Sequence, residues 1–323
     1  MFLVAPDSFK GTFTAAQVAH AIGEGIRGES YPVREMPVAD GGEGTLNALV
    51  SPLELDVLEI ESCNPWGEPT RGSYGLARDG TALIEIASVS GITTPHSGFR
   101  DPMTADTYGT GRLIVDAYRR GARSIVIAAG GSATTDGGVG AIRAIEEAGG
   151  LPGARMEILT DVTTDFIDAA RVFGPQKGSD AGAVDVLTDR LGVLASRLRR
   201  DPRGVSGTGA AGGFAGGMWA QYEAALRPGA AYVLDAIGFD AALKSAVAVV
   251  VGEGRLDSQS AAGKIVSAIL ARAGSVPIIA VVGSIGDDLG NYRDRFLDVL
   301  IATDQPAMTR AGRELAHKVN LCP

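Results

Sequence analysis

The sequence predicts an α/β fold with mostly parallel sheets, and three observations carry that expectation. Short apolar runs alternate with stretches of helical periodicity, a glycine-rich turn follows most of the runs, and 323 residues suffice for two domains with separate cores at roughly 100–200 residues each.

Residues 2–5 are an apolar run closed by Pro6, and from Thr14 onward Val18, Ile22 and Ile26 recur at helical spacing. Thr14 with Gln17 three residues later is a capping box, and Gly28 is a natural stop. Residues 107–120 read as a helix with Leu113, Ile114 and Ala117 turned inward. Residues 124–128 are a buried strand, 130–138 a glycine-rich loop, and 139–148 a helix ended by Gly149 and Gly150. Leu187, Leu191, Leu194 and Leu198 mark an amphipathic helix, with Arg197, Arg199 and Arg200 suiting its C-terminal end. The strand at 247–251 leads through a loop at 252–263 into a helix with Ile265, Val266, Ile269 and Leu270 on one side; residues 276–282 and 297–302 are further strands. Two stretches rich in Pro, Gly and charge, 64–69 and 199–213, are candidate domain crossings. The expected organisation is a discontinuous domain of residues 1–68 plus 230–323 and an inserted domain of residues 69–229.

The 45 glycines are about 14% of the chain, roughly twice the usual share, with no Gly-X-Y period, so turns, caps and close backbone approach must use them. With 38 acidic against 29 basic residues the net charge is −9, which offers no general field for nucleic acid or an anionic membrane. A small anionic substrate then needs locally concentrated cations or a metal ion. Two cysteines, Cys63 and Cys322, exclude a disulfide framework, and three histidines, His20, His96 and His317, leave little scope for zinc or Ser-His-Asp chemistry. The apolar start of the chain is shorter than a signal peptide requires, and the longest apolar runs are strand-sized, so a cytoplasmic protein is expected.

In open parallel sheets ligands collect beyond the carboxyl ends of the strands. After the first strand come Asp7, Ser8, Lys10 and Gly11. Asp40-Gly41-Gly42-Glu43-Gly44 and Asp136-Gly137-Gly138-Val139-Gly140 share one pattern, and each opens a helix. Glycines there bring backbone N–H groups close to a phosphate or carboxylate; the competing view is an N-capping Asp with glycines for tight packing. Before the second motif stand Gly130, Gly131, Ser132, Thr134 and Thr135, hydroxyl donors that a mere cap does not need. Gly174-Pro-Gln176-Lys177-Gly178 is another polar turn with a cation. Near the chain's most apolar strand, Glu253 and Asp257 are suited to Mg²⁺, and Arg255 and Lys264 to phosphate oxygens. This segment is not a Walker loop: Ser258 replaces the first glycine and Ile265 the required Ser or Thr. Gly207-Thr-Gly209-Ala-Ala-Gly212 fits the dinucleotide fingerprint, with Asp235 at the ribose-binding distance, but the Arg- and Pro-containing residues 199–204 before it cannot be the buried strand that motif must follow. Gly209 and Gly212 are therefore assigned to a substrate loop or to tight packing, and an NAD-dependent oxidoreductase is the lesser alternative.

Residues 5–11 (Ala-Pro-Asp-Ser-Phe-Lys-Gly), 37–45 (Pro-Val-Ala-Asp-Gly-Gly-Glu-Gly-Thr), 130–138 (Gly-Gly-Ser-Ala-Thr-Thr-Asp-Gly-Gly), 173–178 (Phe-Gly-Pro-Gln-Lys-Gly) and 252–257 (Gly-Glu-Gly-Arg-Leu-Asp) together resemble the type-1 glycerate kinase family. The resemblance implies ATP-dependent phosphorylation of D-glycerate, generally to 2-phosphoglycerate, two Rossmann-like α/β domains with the active site in the cleft between them, and Mg²⁺ as the nucleotide's counter-ion. Thr135 stands where the family usually has Asn, Ser179-Asp180 where it has Ala-Thr, and the connection from Asp161 to Phe173 is shortened. The expected catalytic residues are Asp40, Asp136 and Lys10, with either aspartate as the base. Substrate and phosphate contacts are expected from Asp7, Ser8, Gly41, Gly42, Glu43, Gly130, Gly131, Ser132, Thr134, Gly137, Gln176, Lys177, Gly209, Gly212, Arg255 and Lys264, and metal contacts from Glu253 and Asp257. A protein that binds a sugar acid without consuming ATP is a further alternative; any assembly is expected to be a homodimer.

Overall fold

Eleven strands are found among the residues that the computed structural model describes, 1–257, 265–286 and 289–319. In chain order they are β1 (Phe2–Pro6), β2 (Val33–Glu35), β3 (Asp56–Cys63), β4 (Pro69–Leu76), β5 (Thr81–Glu85), β6 (Ser124–Ala128), β7 (Arg155–Leu159), β8 (Ala225–Arg227), β9 (Ala248–Leu256), β10 (Ile278–Ile285) and β11 (Asp298–Ile301). They form one sheet in each of two compact units.

The first unit comprises residues 1–40, 47–52 and 230–323. Its sheet has the order β11-β10-β9-β1-β2 and is parallel throughout. Every residue of β1 is buried, as expected for a strand covered on both faces. Helix Ala15–Gly28 begins with the predicted capping box: Gln17 N–H donates to Thr14 Oγ1 at 3.2 Å, and Thr14 N–H to Gln17 Oε1 at 2.9 Å. Its Val18, Ile22 and Ile26 join Phe2, Val250 and Ile279 in the core, each such side chain contributing about 1.5–3 kcal/mol by leaving water. The chain's last described helix, Gln305–Val319, lies directly on it. A methyl group at Gly25 would overlap the Thr309 carbonyl, and one at Gly312 the Ile22 carbonyl, so two glycines set that approach.

β9 is longer than the predicted strand, because parallel pairing with β10 continues to Arg255 and Leu256, opposite Ser284 and Ile285. Residues 252–256, expected in a loop, are therefore strand. Ser258, Gln259, Ser260 and Lys264 lie outside the described residues.

The second unit comprises residues 41–46 and 53–229. Its sheet runs β3-β4-β5-β6-β7-β8, with β3 and β4 antiparallel to their neighbours and the rest parallel. The expected crossing at 64–69 is instead the turn of the β3–β4 hairpin: Asn64 N–H donates to Glu68 O at 2.8 Å, and Asn64 Oδ1 accepts from Trp66 and Glu68 N–H at 3.0 Å each. That hairpin places residues 53–68 in the second unit, not in the first. Residues 199–213 likewise lie wholly inside the second unit.

Helix Tyr108–Arg119 buries Leu113, Ile114 and Ala117 as predicted, beside Ile142 and Ile145 of helix Val139–Glu147. Helix Ala181–Ala195 is capped by Asp180, which accepts from Ala183 N–H at 2.8 Å, and sets Leu187 and Leu191 against Phe166. It ends before Leu198, which the leucine stripe had included. No described helix is long and apolar enough to cross a membrane.

Candidate active site

In the first unit the pairing of Pro6 with Gly252 brings the chain beyond β1 alongside β9, and Asp7 N–H donates to Gly252 O at 2.8 Å. The Asp7 side chain is consequently 9% exposed, and its Oδ1 accepts from Ser8 N–H at 2.6 Å. Burial foremost, then the charge of Asp40 and more weakly that of Glu253, push the Asp7 carboxyl up to about 7, against the Ser8 hydrogen bond and the charge of Lys10. Two proposed contacts and two proposed catalytic residues thus fall in one electrostatic neighbourhood. Lys10 is exposed in the turn closed by the Phe9–Phe13 bridge. Arg255 is largely exposed and its guanidinium lies 3.4 Å from Asp257. Among the described residues no group of three or more His, Cys, Asp or Glu is placed to hold a metal ion. The proposed phosphate contact Lys264 lies outside the described residues.

In the second unit, the backbones of Gly41 and Gly42 are packed tightly. A Cβ at Gly130 would lie 2.6 Å from Gly42 Cα, and one at Gly41 2.6 Å from Gly229 Cα, so these glycines let neighbouring segments touch backbone to backbone. Glu43 and Gly131 lie at the same junction. The short helix Thr45–Leu49 receives its N-terminal acceptor from elsewhere: Leu46 N–H donates to Glu85 Oε1 at 2.7 Å. Burial raises the Glu85 carboxyl, and backbone N–H groups of the helix start oppose that rise.

Asp136 sits differently. Its Oδ2 accepts from Thr107 N–H at 2.9 Å, Thr107 Oγ1–H at 2.7 Å and Gly140 N–H at 3.0 Å, and its Oδ1 from Gly138 N–H at 3.1 Å. One carboxylate thereby ties together the starts of two helices, Tyr108–Arg119 and Val139–Glu147, and Thr107 Oγ1 accepts in turn from Ala141 N–H at 3.0 Å. Burial raises the Asp136 carboxyl while these four donors hold it down. Gly137 packs on Phe166 and Leu194, Gly209 on the Thr164 and Asp165 carbonyls, and Gly212, at φ +66°, on the Thr134 carbonyl. The fingerprint-like residues 207–212 belong to a run of turns with no strand before them, so the context needed for a dinucleotide site is missing there.

Lys177 closes the short 3₁₀ turn Pro175–Lys177, beside exposed Gln176, and donates to Ser132 Oγ at 3.0 Å and the Thr134 carbonyl at 2.6 Å. Burial pulls its ammonium down to about 7, against the charge of Asp136. The hydroxyls of Thr134, Thr135 and Ser179 are buried without a hydrogen-bond partner. Thr107, Glu85, Thr135 and Ser179 were not among the expected site residues. Glu85, at the end of an apolar strand, and Thr135, among the hydroxyls of the glycine-rich loop, carry a positional signal.

Two α/β units, one with a wholly parallel sheet, carry polar loops beyond their strand ends, where open α/β sheets collect ligands. The family model for the glycerate kinase family matches residues 2–148 and 146–319. The glycerate kinase of Bacillus subtilis strain 168 is 35% identical, covering 99% of this chain and 97% of its own. The glycerate 2-kinase of Escherichia coli K12 is 33% identical, covering 93% and 89%. A crystal structure from Salmonella typhimurium LT2, provisionally described as glycerate kinase 2, superposes with a TM-score of 0.82 at 31% identity, covering 99% of this chain and 98% of that one. The chain belongs to the glycerate kinase family. Its activity is that family's phosphotransfer to glycerate, and membership implies use of ATP.

Proposed function

We propose that the chain transfers the terminal phosphoryl group of ATP to the 2-hydroxyl of D-glycerate, with Asp7 as the general base. The observation that carries this is the Asp7 carboxyl: it is buried at the mouth of a parallel sheet, close to Asp40 and Lys10, and poised near neutrality, where a base is most effective. Asp7 takes the hydroxyl proton as the new O–P bond forms and the bond from phosphorus to the ADP oxygen breaks. Asp40 keeps Asp7 basic through its charge. Asp136, with four donors on its two oxygens, anchors helices and is removed from the candidates for the base. Lys177 with Ser132 is assigned to an anionic group of substrate or nucleotide, and Lys10 and Arg255 to further phosphate charge.

Mg²⁺ arriving with the nucleotide keeps much of its own hydration and needs only one or two protein carboxylates. Glu253 and Asp257, at the end of β9, are the carboxylates that would hold it, and the ion would neutralise charge on the phosphoryl oxygens. Agreement with the E. coli relative's description as a 2-kinase supports the choice of hydroxyl. A coupled ADP-release assay with D-glycerate, ATP and Mg²⁺, with the product read by phosphorus NMR, tests the reading. The expected product is 2-phosphoglycerate. A 3-phosphate product overturns the regiochemistry, and binding of glycerate without ADP release would favour a sugar-acid-binding protein.

A further inference from the structure

A cavity of about 250 Å³ opens within the second unit, walled by Met103, Val139, Leu187, Leu191 and Leu194 and closed at one side by Thr135 and Asp136. We infer that this cavity seats the purine ring of the nucleotide. The inference rests on the reading that the chain uses ATP.

Four observations carry it. Thr135 lines the cavity and is 3% exposed, and its buried hydroxyl has no hydrogen-bond partner, so this wall holds unspent hydrogen-bonding capacity. The occupant must therefore bring a polar atom to that wall and apolar surface to the others. An anion does not meet that demand. The Arg190 guanidinium donates to the Met103 carbonyl at 2.7 Å, and the two carboxylates of the wall, Asp136 and Asp106, repel negative charge; Asp106 is paired with Arg143 at 3.0 Å. A sugar does not meet it either, since its hydroxyls would face aliphatic side chains without partners. A flat heteroaromatic ring, apolar on both faces with hydrogen-bonding atoms on its edge, satisfies both kinds of wall.

Sequence continuity supplies the last observation. Thr135 ends the loop whose Ser132 and Thr134 meet Lys177, and three residues span at most about 10 Å. A ring beside Thr135 thus places its phosphates within reach of the Lys177 ammonium along one loop.

Adenosine, which carries the ring without phosphates, is the probe. Calorimetric titration into the full chain is expected to show binding, and adenosine is expected to compete with ATP but not with glycerate. Val139 is 45% exposed at the cavity mouth, so Val139→Trp fills the cavity without disturbing the core. It is expected to weaken adenosine binding and raise KM for ATP at least tenfold, with KM for glycerate unchanged; Thr135→Val is expected to do the same about fivefold, for loss of one hydrogen bond. If the wild type turns over but neither variant changes KM for ATP, the cavity assignment is wrong and the kinase reading stands. If glycerate and ATP yield no ADP while adenosine binds and Val139→Trp abolishes that binding, the ring site stands and the proposed reaction falls.

Discussion

The segments Asp40-Gly-Gly-Glu-Gly44 and Asp136-Gly-Gly-Val-Gly140 are near-copies in sequence and opposites in structure. At the second, the aspartate spends both oxygens on four donors from two helix starts. At the first, the Leu46 N–H of the following helix is accepted by Glu85, and the charge of Asp40 raises the Asp7 carboxyl. The same Asp-Gly-Gly pattern therefore fastens two helix starts in one place and biases a neighbouring carboxyl in the other. An anchoring aspartate is exchanged at the cost of stability, and an electrostatic one at the cost of turnover.

The comparison breaks first at Asp136. Asp136→Ala leaves four buried donors without their acceptor, at about 1–3 kcal/mol each, so a loss of about 4 kcal/mol or more is expected in denaturant unfolding. A loss under about 1 kcal/mol would remove Asp136 as the anchor of the two helix starts. Next comes turnover: Asp7→Asn removes the base and should lower kcat by about 10²- to 10⁴-fold with the fold intact.

The same variant has a stability signature with a definite sign. The folded-state carboxyl of Asp7 is raised from 3.8 to about 7, so its stabilising contribution is complete below 3.8 and is lost as pH rises to about 7. In thermal melts Asp7→Asn should therefore gain on the wild type between pH 4 and pH 7, by several degrees, and hold a constant lead above that. A lead that shrinks with rising pH would contradict the burial of Asp7. Lys177 sharpens the contrast from the other unit. With its ammonium pulled down to about 7, binding of glycerate or inorganic phosphate should take up a proton and weaken by up to about tenfold per pH unit above neutrality, as titrations in buffers of different ionisation enthalpy would reveal. The smallest effect expected is at the carboxylate that accepts from Leu46: Glu85→Ala should cost about 1–2 kcal/mol, the range of a lost helix cap.

Much of this was legible in the sequence, and the gaps have physical causes. The capping box at Thr14 and the strand-loop-helix units around residues 2–28 and 124–148 are local patterns, set by neighbours within one or two turns, and they appear as expected. The β3–β4 hairpin escaped notice because β4, Pro69-Thr-Arg-Gly-Ser-Tyr-Gly-Leu76, has few apolar residues and two glycines; it is a strand because β3 and β5 flank it. The contrast between Asp40 and Asp136 was invisible for a related reason. The long-range partners at the two motifs, Glu85 and Thr107, lie 39 residues from Leu46 and 29 residues from Asp136, beyond any periodicity. The loop blocks at 130–138 and 173–178 did point to a common place, since Lys177 meets Ser132 and Thr134. The partnerless hydroxyls of Thr135 and Ser179 could be recognised only once their surroundings had excluded every protein donor and acceptor.

The glycine-to-glycine approach of the first and last described helices sets a timetable for biogenesis. Residues 53–229 are contiguous and emerge from the ribosome together, so the six-stranded sheet can assemble while translation continues. The other sheet must wait, because β1 needs β9 beside it and helix Ala15–Gly28 needs Gln305–Val319 over Gly25. Residues 1–40 are made before the second unit and find their partners only after it. A stop codon after residue 303 would therefore release a finished second unit attached to a first unit that has lost its closing helix, with Ile22 and Ile26 bared to chaperones and proteases.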